Sequence, residues 1–232
     1  MVNAHDLLWG MTPAHAPADA PAWVLEALAA GHPVVVRRAI APPGHVAVGV
    51  RGRLREQRFA AVMPMAAVQR CVVPEDLRGV ISPRDLPALQ ALAQLRPVLA
   101  KENWGVTGSA GFELASGIEA LHAKSDLDLI LRTPEPLDRG DAEDLLAILD
   151  TAVCAVDLQL QTPFGAVALR EWAAASRRVL LKNPSGAQLV TDPWQAVACS
   201  ARWHFRARSP RSRACPGPSR PPCSKPPALC WP

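Results

Sequence analysis

Two acidic residues, Asp126 and Asp128, lie two positions apart in an otherwise apolar segment that runs from Ser125 to Leu131. The apolar residues predict a buried strand, and side chains two apart on a strand point to the same face. Two carboxylates held this close repel each other unless a cation lies between them. Mg²⁺ usually binds through one or two carboxylates and the phosphates of a substrate. The spacing therefore indicates a magnesium site, although exposed strands also carry alternating acids.

A second pair of residues, Gly108 and Ser109, precedes the acids in the chain. A glycine lets the backbone approach a phosphate closely, and a serine at the start of a short helix offers a hydroxyl and free N–H groups to an anion. In this order, the Gly-Ser turn and the acids indicate a metal and phosphate site. A Gly-Ser turn, a short helix and an Asp-x-Asp strand together resemble the nucleotidyltransferase superfamily that includes polymerase β.

A third acid, Asp157, lies alone in an apolar segment, residues 153–160, that is typical of a strand. An acid among apolar residues needs a partner. If this strand lies beside that of Asp126 and Asp128, the three carboxylates form one cluster. In the other interpretation Asp157 is an acid capped at the end of its strand. The superfamily resemblance implies a third acid on a following strand, and both interpretations stay open here.

The elements that must position these residues alternate between helices and strands, which predicts a mixed α/β fold of the α+β type. Strands are predicted at 33–38, 45–51, 58–63, 125–131 and 153–160, and as a hairpin at 178–182 and 188–190. Helices are predicted at 22–30, 65–71, 86–99, 141–149 and 167–175, and a short one follows the Gly-Ser turn. We expect a small N-terminal α/β domain at 1–80 and a polymerase-β-like nucleotidyltransferase domain at 81–196, with a disordered Pro- and Arg-rich tail at 197–232.

The net charge of +4 is misleading, because residues 200–232 carry seven of the 25 basic residues and no acidic one. The rest of the chain is slightly acidic, which argues against binding to a nucleic acid polymer. No apolar run reaches the roughly 20 residues of a membrane helix, and the N-terminal segment lacks the pattern of a secretory signal. We therefore expect a cytoplasmic protein with no membrane partner.

Basic residues cluster at the strand ends of the N-terminal region. They are Arg37, Arg38, Arg51, Arg53 and Arg55. One interpretation is a solvated polar surface; the other is contact with a phosphorylated substrate or with an acidic protein partner. The sequence does not choose between them.

Several separated segments resemble the malonate decarboxylase holo-acyl-carrier-protein synthases, also called phosphoribosyl-dephospho-CoA transferases, over about residues 5–196. The segments are His5 to Trp9, Val46 to Gly52, Thr107 to Gly117, Ser125 to Leu129 and Asp192 to Trp194. The resemblance implies transfer of phosphoribosyl-dephospho-CoA from 2'-(5''-triphosphoribosyl)-3'-dephospho-CoA to a serine of the acyl carrier protein subunit of malonate decarboxylase. The resemblance also implies that diphosphate is released.

In this interpretation Asp126 and Asp128 hold Mg²⁺, and Gly108 and Ser109 hold the terminal phosphates. Asp157 binds a second metal or takes the proton of the carrier serine. Two other functions stay open. One is a different Mg²⁺-dependent nucleotidyltransferase that uses ATP, and the other is a non-catalytic module that binds a carrier or a nucleotide.

Overall fold

The first part of the chain forms a five-stranded antiparallel sheet in the computed structural model, which describes residues 2–54, 56–174 and 176–195. The strands are β1 (Leu7–Trp9), β2 (Val34–Val36), β3 (His45–Arg51), β4 (Arg58–Pro64) and β5 (Arg70–Val72), in the order β4-β3-β2-β1-β5. Helix α1 (Ala22–Ala29) buries Val24 and Leu28 in the same apolar cluster as Val48 and Val50 of β3. The predicted helix at 22–30 and the strands at 33–38, 45–51 and 58–63 are confirmed.

The sheet contains one strand that the sequence did not predict, and it lacks one predicted helix. The segment Leu7–Trp9 is a strand that pairs with β2 on one side and β5 on the other. The helix predicted at 65–71 is wrong, because only Met65–Ala67 forms a 3₁₀ turn and β5 follows it. Tertiary pairing overrides the local pattern here. The side chain of Leu8 is fully buried, so β1 gains more by entering the sheet than by lying on its surface.

The second part of the chain forms a mixed six-stranded sheet. Its strands are β6 (Trp104–Val106), β7 (Leu127–Arg132), β8 (Val156–Thr162), β9 (Gly165–Ala168), β10 (Val179–Asn183) and β11 (Gly186–Val190), in the order β11-β10-β9-β8-β7-β6. The pair β7–β8 is parallel and the other pairs are antiparallel. Helices α2 (Pro87–Val98), α3 (Gly108–Ser116), α4 (Arg139–Leu149) and α5 (Leu169–Ala173) accompany the strands, and α4 makes the crossover that a parallel pair requires.

Most of these elements match the prediction, and the mixed α/β class is confirmed. The helix predicted at 167–175 is wrong at its start, because Val167 belongs to β9 and the helix is the short α5. Val167 is buried opposite Leu160 of β8, so pairing in the sheet outweighs its helical spacing. The tail predicted to be disordered, at 197–232, lies outside the described residues. No helix within the described ranges has the length and apolar character needed to cross a membrane.

The two faces of the second sheet differ in polarity. Leu127 and Leu129 of β7 and Leu160 of β8 are buried in one apolar cluster with α2. The alternate residues of the same strands, among them Asp128 and Asp157, lie on the other face. The two sheets belong to one compact unit, and Arg38 of the first sheet donates a hydrogen bond to Gln161 of β8 at 2.7 Å. The polar face therefore lies toward the first sheet.

Trp194 fixes the end of the described chain to the second sheet. Its indole N–H donates to the carbonyl oxygen of Thr133 at 2.7 Å, and its ring meets that of Trp172 edge to face, with centroids 5.0 Å apart. The Thr162 hydroxyl donates to the carbonyl of Pro193 at 2.8 Å. These buried contacts join the segment after β11 to residues at the ends of β7 and β8.

We expect Trp194→Ala to lower the free energy of unfolding by about 3–5 kcal/mol, because it removes a buried aromatic side chain. Trp194→Phe keeps most of the packing and loses the hydrogen bond, so its cost is smaller, about 1–2 kcal/mol. Urea denaturation of both variants checks this. Equal stability of Trp194→Ala and the unmodified protein would contradict it.

Candidate active site

The predicted phosphate-binding turn lies directly beside the predicted metal-binding strand. Strand β6 pairs with β7 so that Val106 lies opposite Leu129, and the N–H of Thr107 donates to the carbonyl of Asp128 at 2.9 Å. The chain then turns at Gly108, whose φ is +61°, and continues as α3. The backbone of the turn and the strand of the acids are thus joined by hydrogen bonds.

The Asp128 side chain packs against the backbone of Gly108. A Cβ atom at position 108 would lie 1.9 Å from Oδ2 of Asp128, which is far inside van der Waals contact. The left-handed φ and this close approach both require glycine. Asp128 is therefore held at the N-terminus of α3, where the helix dipole favours negative charge.

Asp126 lies immediately before β7. Leu127, between the two acids, is fully buried, whereas Asp126 and Asp128 are half-buried, as expected when both acids point to the other face. Ser125 is buried, and its hydroxyl accepts a hydrogen bond from the N–H of His122 at 3.0 Å. The turn that this bond closes leads the chain into the acidic strand.

Asp157 lies directly opposite Asp128, because β7 and β8 are parallel with these two residues in register. The two strands are therefore neighbours, which is the condition that the sequence set for a shared cluster. Asp157 is exposed, and its charge adds to the effect of the Asp150 hydrogen bond, which raises the pKa of Arg170. A basic neighbour thus lies near Asp157.

The carboxylate oxygens at the starts of β7 and β8 suit a hard cation. Among the described residues, no group of three or more His, Cys, Asp or Glu side chains is arranged to hold one metal ion. Two carboxylates supplemented by substrate phosphates are a usual environment for Mg²⁺, and Asp126 and Asp128 fit that chemistry.

Arg51, from the first sheet, reaches the Gly-Ser turn. Its guanidinium donates to the Ser109 hydroxyl oxygen at 2.7 Å and lies over the Phe112 ring, 5.2 Å from the centroid. Burial, and next the charge of Arg58, lowers the pKa of Arg51 to about 10, against the opposing effect of Asp128. Arg51 is thus charged at neutral pH. The sequence placed it among basic strand ends without linking it to Ser109.

A cavity of about 350 Å³ lies between the first sheet and α3. Arg37, Arg51 and Arg58 line its first-sheet side, and Gly108 and Phe112 line the other. We call it the inter-sheet cavity. The basic strand ends and Gly108, against which the Asp128 carboxylate packs, therefore border the same cavity.

Glu113 joins α3 to the segment that leads to the acids, a role that the sequence did not reveal. Its carboxylate accepts the N–H groups of Ala120 at 2.7 Å and Leu121 at 2.8 Å, and it forms an ion pair with Arg84 at 2.7 Å. Burial alone would raise the pKa of Glu113, but these partners outweigh it and hold the pKa below its usual value. The side chain is only 5% exposed.

Two family models match adjacent parts of the chain. The model of the phosphoribosyl-dephospho-CoA transferase MdcG N-terminal domain matches residues 3–74, and that of the corresponding C-terminal domain matches residues 76–193. The chain belongs to the phosphoribosyl-dephospho-CoA transferase family. It is therefore a transferase.

Relatives named phosphoribosyl-dephospho-CoA transferase match over most of their length. The protein of Pseudomonas fluorescens (strain Pf0-1) is 63% identical over 199 residues, which cover 84% of this chain and 97% of the relative. That of Azotobacter vinelandii (strain DJ) is 56% identical over 201 residues, covering 84% of this chain and 95% of the relative. No solved structure matches the chain.

We expect Gly108→Ala to reduce transferase activity by at least about 100-fold, because the new Cβ displaces the Asp128 carboxylate. Gly117→Ala is the matched control. Gly117 ends the same helix with a φ of +74°, but an added Cβ there meets nothing within 4 Å. Both variants lose about 1–2 kcal/mol to the left-handed backbone. Kinetic assays measure the loss of activity, and denaturation measures the cost of the left-handed backbone. Equal activity of the two variants would contradict the role of the close contact between Gly108 and the Asp128 carboxylate.

We expect Glu113→Gln to lower the free energy of unfolding by about 2 kcal/mol near neutral pH. A carboxyl whose pKa is lowered on folding stabilises the protein above its unfolded pKa, and this contribution is lost as the pH falls through the folded value. The difference from the unmodified protein should therefore shrink below pH 4.5, the ordinary pKa of the group. Denaturation at several pH values measures this. Exposed Glu119, in the same segment, gives the control Glu119→Gln, and a pH-independent difference would contradict the assignment.

Proposed function

We propose that this transferase moves phosphoribosyl-dephospho-CoA from its triphosphoribosyl precursor to a serine of the malonate decarboxylase acyl carrier protein and releases diphosphate. The observation that carries the proposal is the packing of the Asp128 carboxylate against Gly108, at the start of α3. This packing brings a carboxylate suited to a metal within reach of a backbone suited to phosphate. The names of the relatives supply the group that is transferred.

Asp126 and Asp128 would hold Mg²⁺, which when bound neutralises charge on the phosphates of the precursor. The N–H groups at the start of α3 and the Ser109 hydroxyl bind the terminal phosphates. The carrier serine attacks the α-phosphorus, an O–P bond forms, and the bond to diphosphate breaks with its electron pair leaving on diphosphate. Asp128, fixed against Gly108, keeps its orientation through the reaction.

Asp157 is our candidate for the group that accepts the proton of the carrier serine. It lies opposite Asp128 and is exposed, so an incoming protein side chain can approach it. A general base in such a position contributes typically about 10²–10⁴-fold. Its nearness to Arg170 supports the other interpretation, a strand-end acid that is balanced by a basic neighbour.

A polymerase-β-like fold for the predicted domain at 81–196, the N-terminal domain at 1–80 and a cytoplasmic location also stay predictions. The Gly-Ser turn before α3 and the acids of β7 support a nucleotidyltransferase-like arrangement. The carrier protein would have to approach the start of β8, where Asp157 is exposed.

The test is incubation of the protein with Mg²⁺, the precursor and apo carrier, followed by mass spectrometry of the carrier. We expect the mass to rise by one phosphoribosyl-dephospho-CoA group, and removal of Mg²⁺ by a chelator should stop the reaction. Transfer of an AMP group from ATP without the precursor would support the other nucleotidyltransferase function. An unchanged carrier with intact precursor would refute the proposal.

Three variants distinguish the acids. Asp128→Asn should lose at least about 100-fold in rate, because it removes a proposed metal ligand. Asp157→Asn should lose about 10²–10⁴-fold if it acts as the base and little if it only caps a strand. Asp144→Asn, on the exposed side of α4, is the control and should keep full activity.

A further inference from the structure

Two arginines face each other across the hairpin that lines the inter-sheet cavity. Arg51, the last residue of β3, is the register partner of Arg58, the first residue of β4. Like charges directly opposite on neighbouring strands are destabilising. The cost is larger for Arg51, because its side chain is half-buried. Such a pair is stabilised when an anion binds between or beside the two guanidinium groups.

The surroundings of Arg51 do not cancel its charge by direct contact. Its described hydrogen bonds go to the Ser109 hydroxyl and the carbonyl of Ala120, which are neutral groups. None of the three ion pairs found among the described residues includes Arg51. Its guanidinium is nevertheless held firmly, by the bond to Ser109 and by the Phe112 ring. The charge is therefore oriented before any ligand arrives.

The position of this charge fits the reaction. The Gly-Ser turn that would receive the terminal phosphates begins α3, and Arg51 bonds to the serine of that turn. Arg37 also lines the inter-sheet cavity, so three arginines and Gly108 of the turn border the same space. A guanidinium binds phosphate oxygens through two parallel N–H bonds, and two guanidinium groups match the two phosphoryl groups of a diphosphate.

We propose that Arg51 and Arg58 bind the diphosphate end of the substrate, so that the first sheet supplies part of the active site. This inference rests on the proposed function, because it assigns a site to the diphosphate that the reaction releases. When the bond to the α-phosphorus breaks, the electron pair stays on the leaving diphosphate. The two guanidinium groups keep their protons and stabilise the added negative charge.

Binding of inorganic diphosphate in the presence of Mg²⁺, measured by titration calorimetry, is the first test. Arg51→Gln should weaken binding roughly 10- to 100-fold, since it removes a charged hydrogen-bond donor from a half-buried site. Arg58→Gln should weaken it about 3- to 10-fold, because Arg58 is exposed and screened by solvent. Arg58→Gln also guards against a folding defect, since a surface substitution leaves the core intact.

Arg70→Gln is the matched control, since it removes the same charge from the same sheet outside the cavity. Arg70 is exposed on β5, with its guanidinium over the Trp9 ring. The diphosphate affinity of Arg70→Gln should stay within about twofold of that of the unmodified protein. Arg51→Lys keeps a charge but loses the two-bond geometry, so it should fall between the unmodified protein and Arg51→Gln.

Inhibition of carrier modification by added diphosphate is the second test. The inhibition constant should rise in Arg51→Gln and Arg58→Gln by the same factors as the dissociation constants. A purely structural role for Arg51 would lower activity without changing the inhibition constant, and that result would overturn the inference.

The outcomes separate this inference from the proposed function. Carrier modification by the unmodified protein, with diphosphate affinity unchanged in both arginine variants, overturns the arginine site and leaves the function standing. Diphosphate binding that depends on Arg51 and Arg58 in a protein that never modifies the carrier supports the arginine site and refutes the function.

Discussion

The contact between the Asp128 carboxylate and the backbone of Gly108 is the constraint on which the rest of the site depends. Strand pairing between β6 and β7 brings the turn to this carboxylate, and the N–H of Thr107 bonds to the carbonyl of the same aspartate. The backbone and the side chain of Asp128 thus both contact the turn. Any residue larger than glycine would separate the carboxylate from the start of α3. The position of the turn and the position of the Asp128 carboxylate therefore depend on each other.

The site carries charges of both signs, and the two sheets contribute them separately. The carboxylates lie on the polar face of the second sheet, whereas Arg51 and Arg58 belong to the first. A metal and polyphosphate complex has matching charges, since the cation suits the acids and the phosphates suit the guanidinium groups. In the proposed site, the first sheet therefore contributes binding residues in addition to packing against the second sheet. It supplies the positive half of the site, whereas carboxylates alone would repel a polyphosphate.

The candidate site residues that the sequence predicts are close together in the chain, because a strand period and a Gly-Ser turn are local signals. The sequence missed residues whose role comes from distant contacts. Glu113 looks like any acid on a short helix, yet it accepts N–H groups seven and eight positions later. Arg51 lies 58 positions before Ser109. Nothing local indicated that Arg51 and Arg58 approach α3. The strand at Leu7–Trp9 was missed for the same reason.

Asp128 and Asp157 show that register alone does not fix the role of an acid. The parallel pair β7–β8 places them side by side, but Asp128 is half-buried against Gly108, whereas Asp157 is exposed with Arg170 nearby. A ligand for a metal must be held in one place, and the contact with Gly108 holds Asp128. A general base must come within hydrogen-bond reach of the proton that it accepts, and an exposed carboxylate can be reached by an incoming hydroxyl group. Because their surroundings differ, the two acids are suited to different proposed roles, although they are neighbours in the sheet.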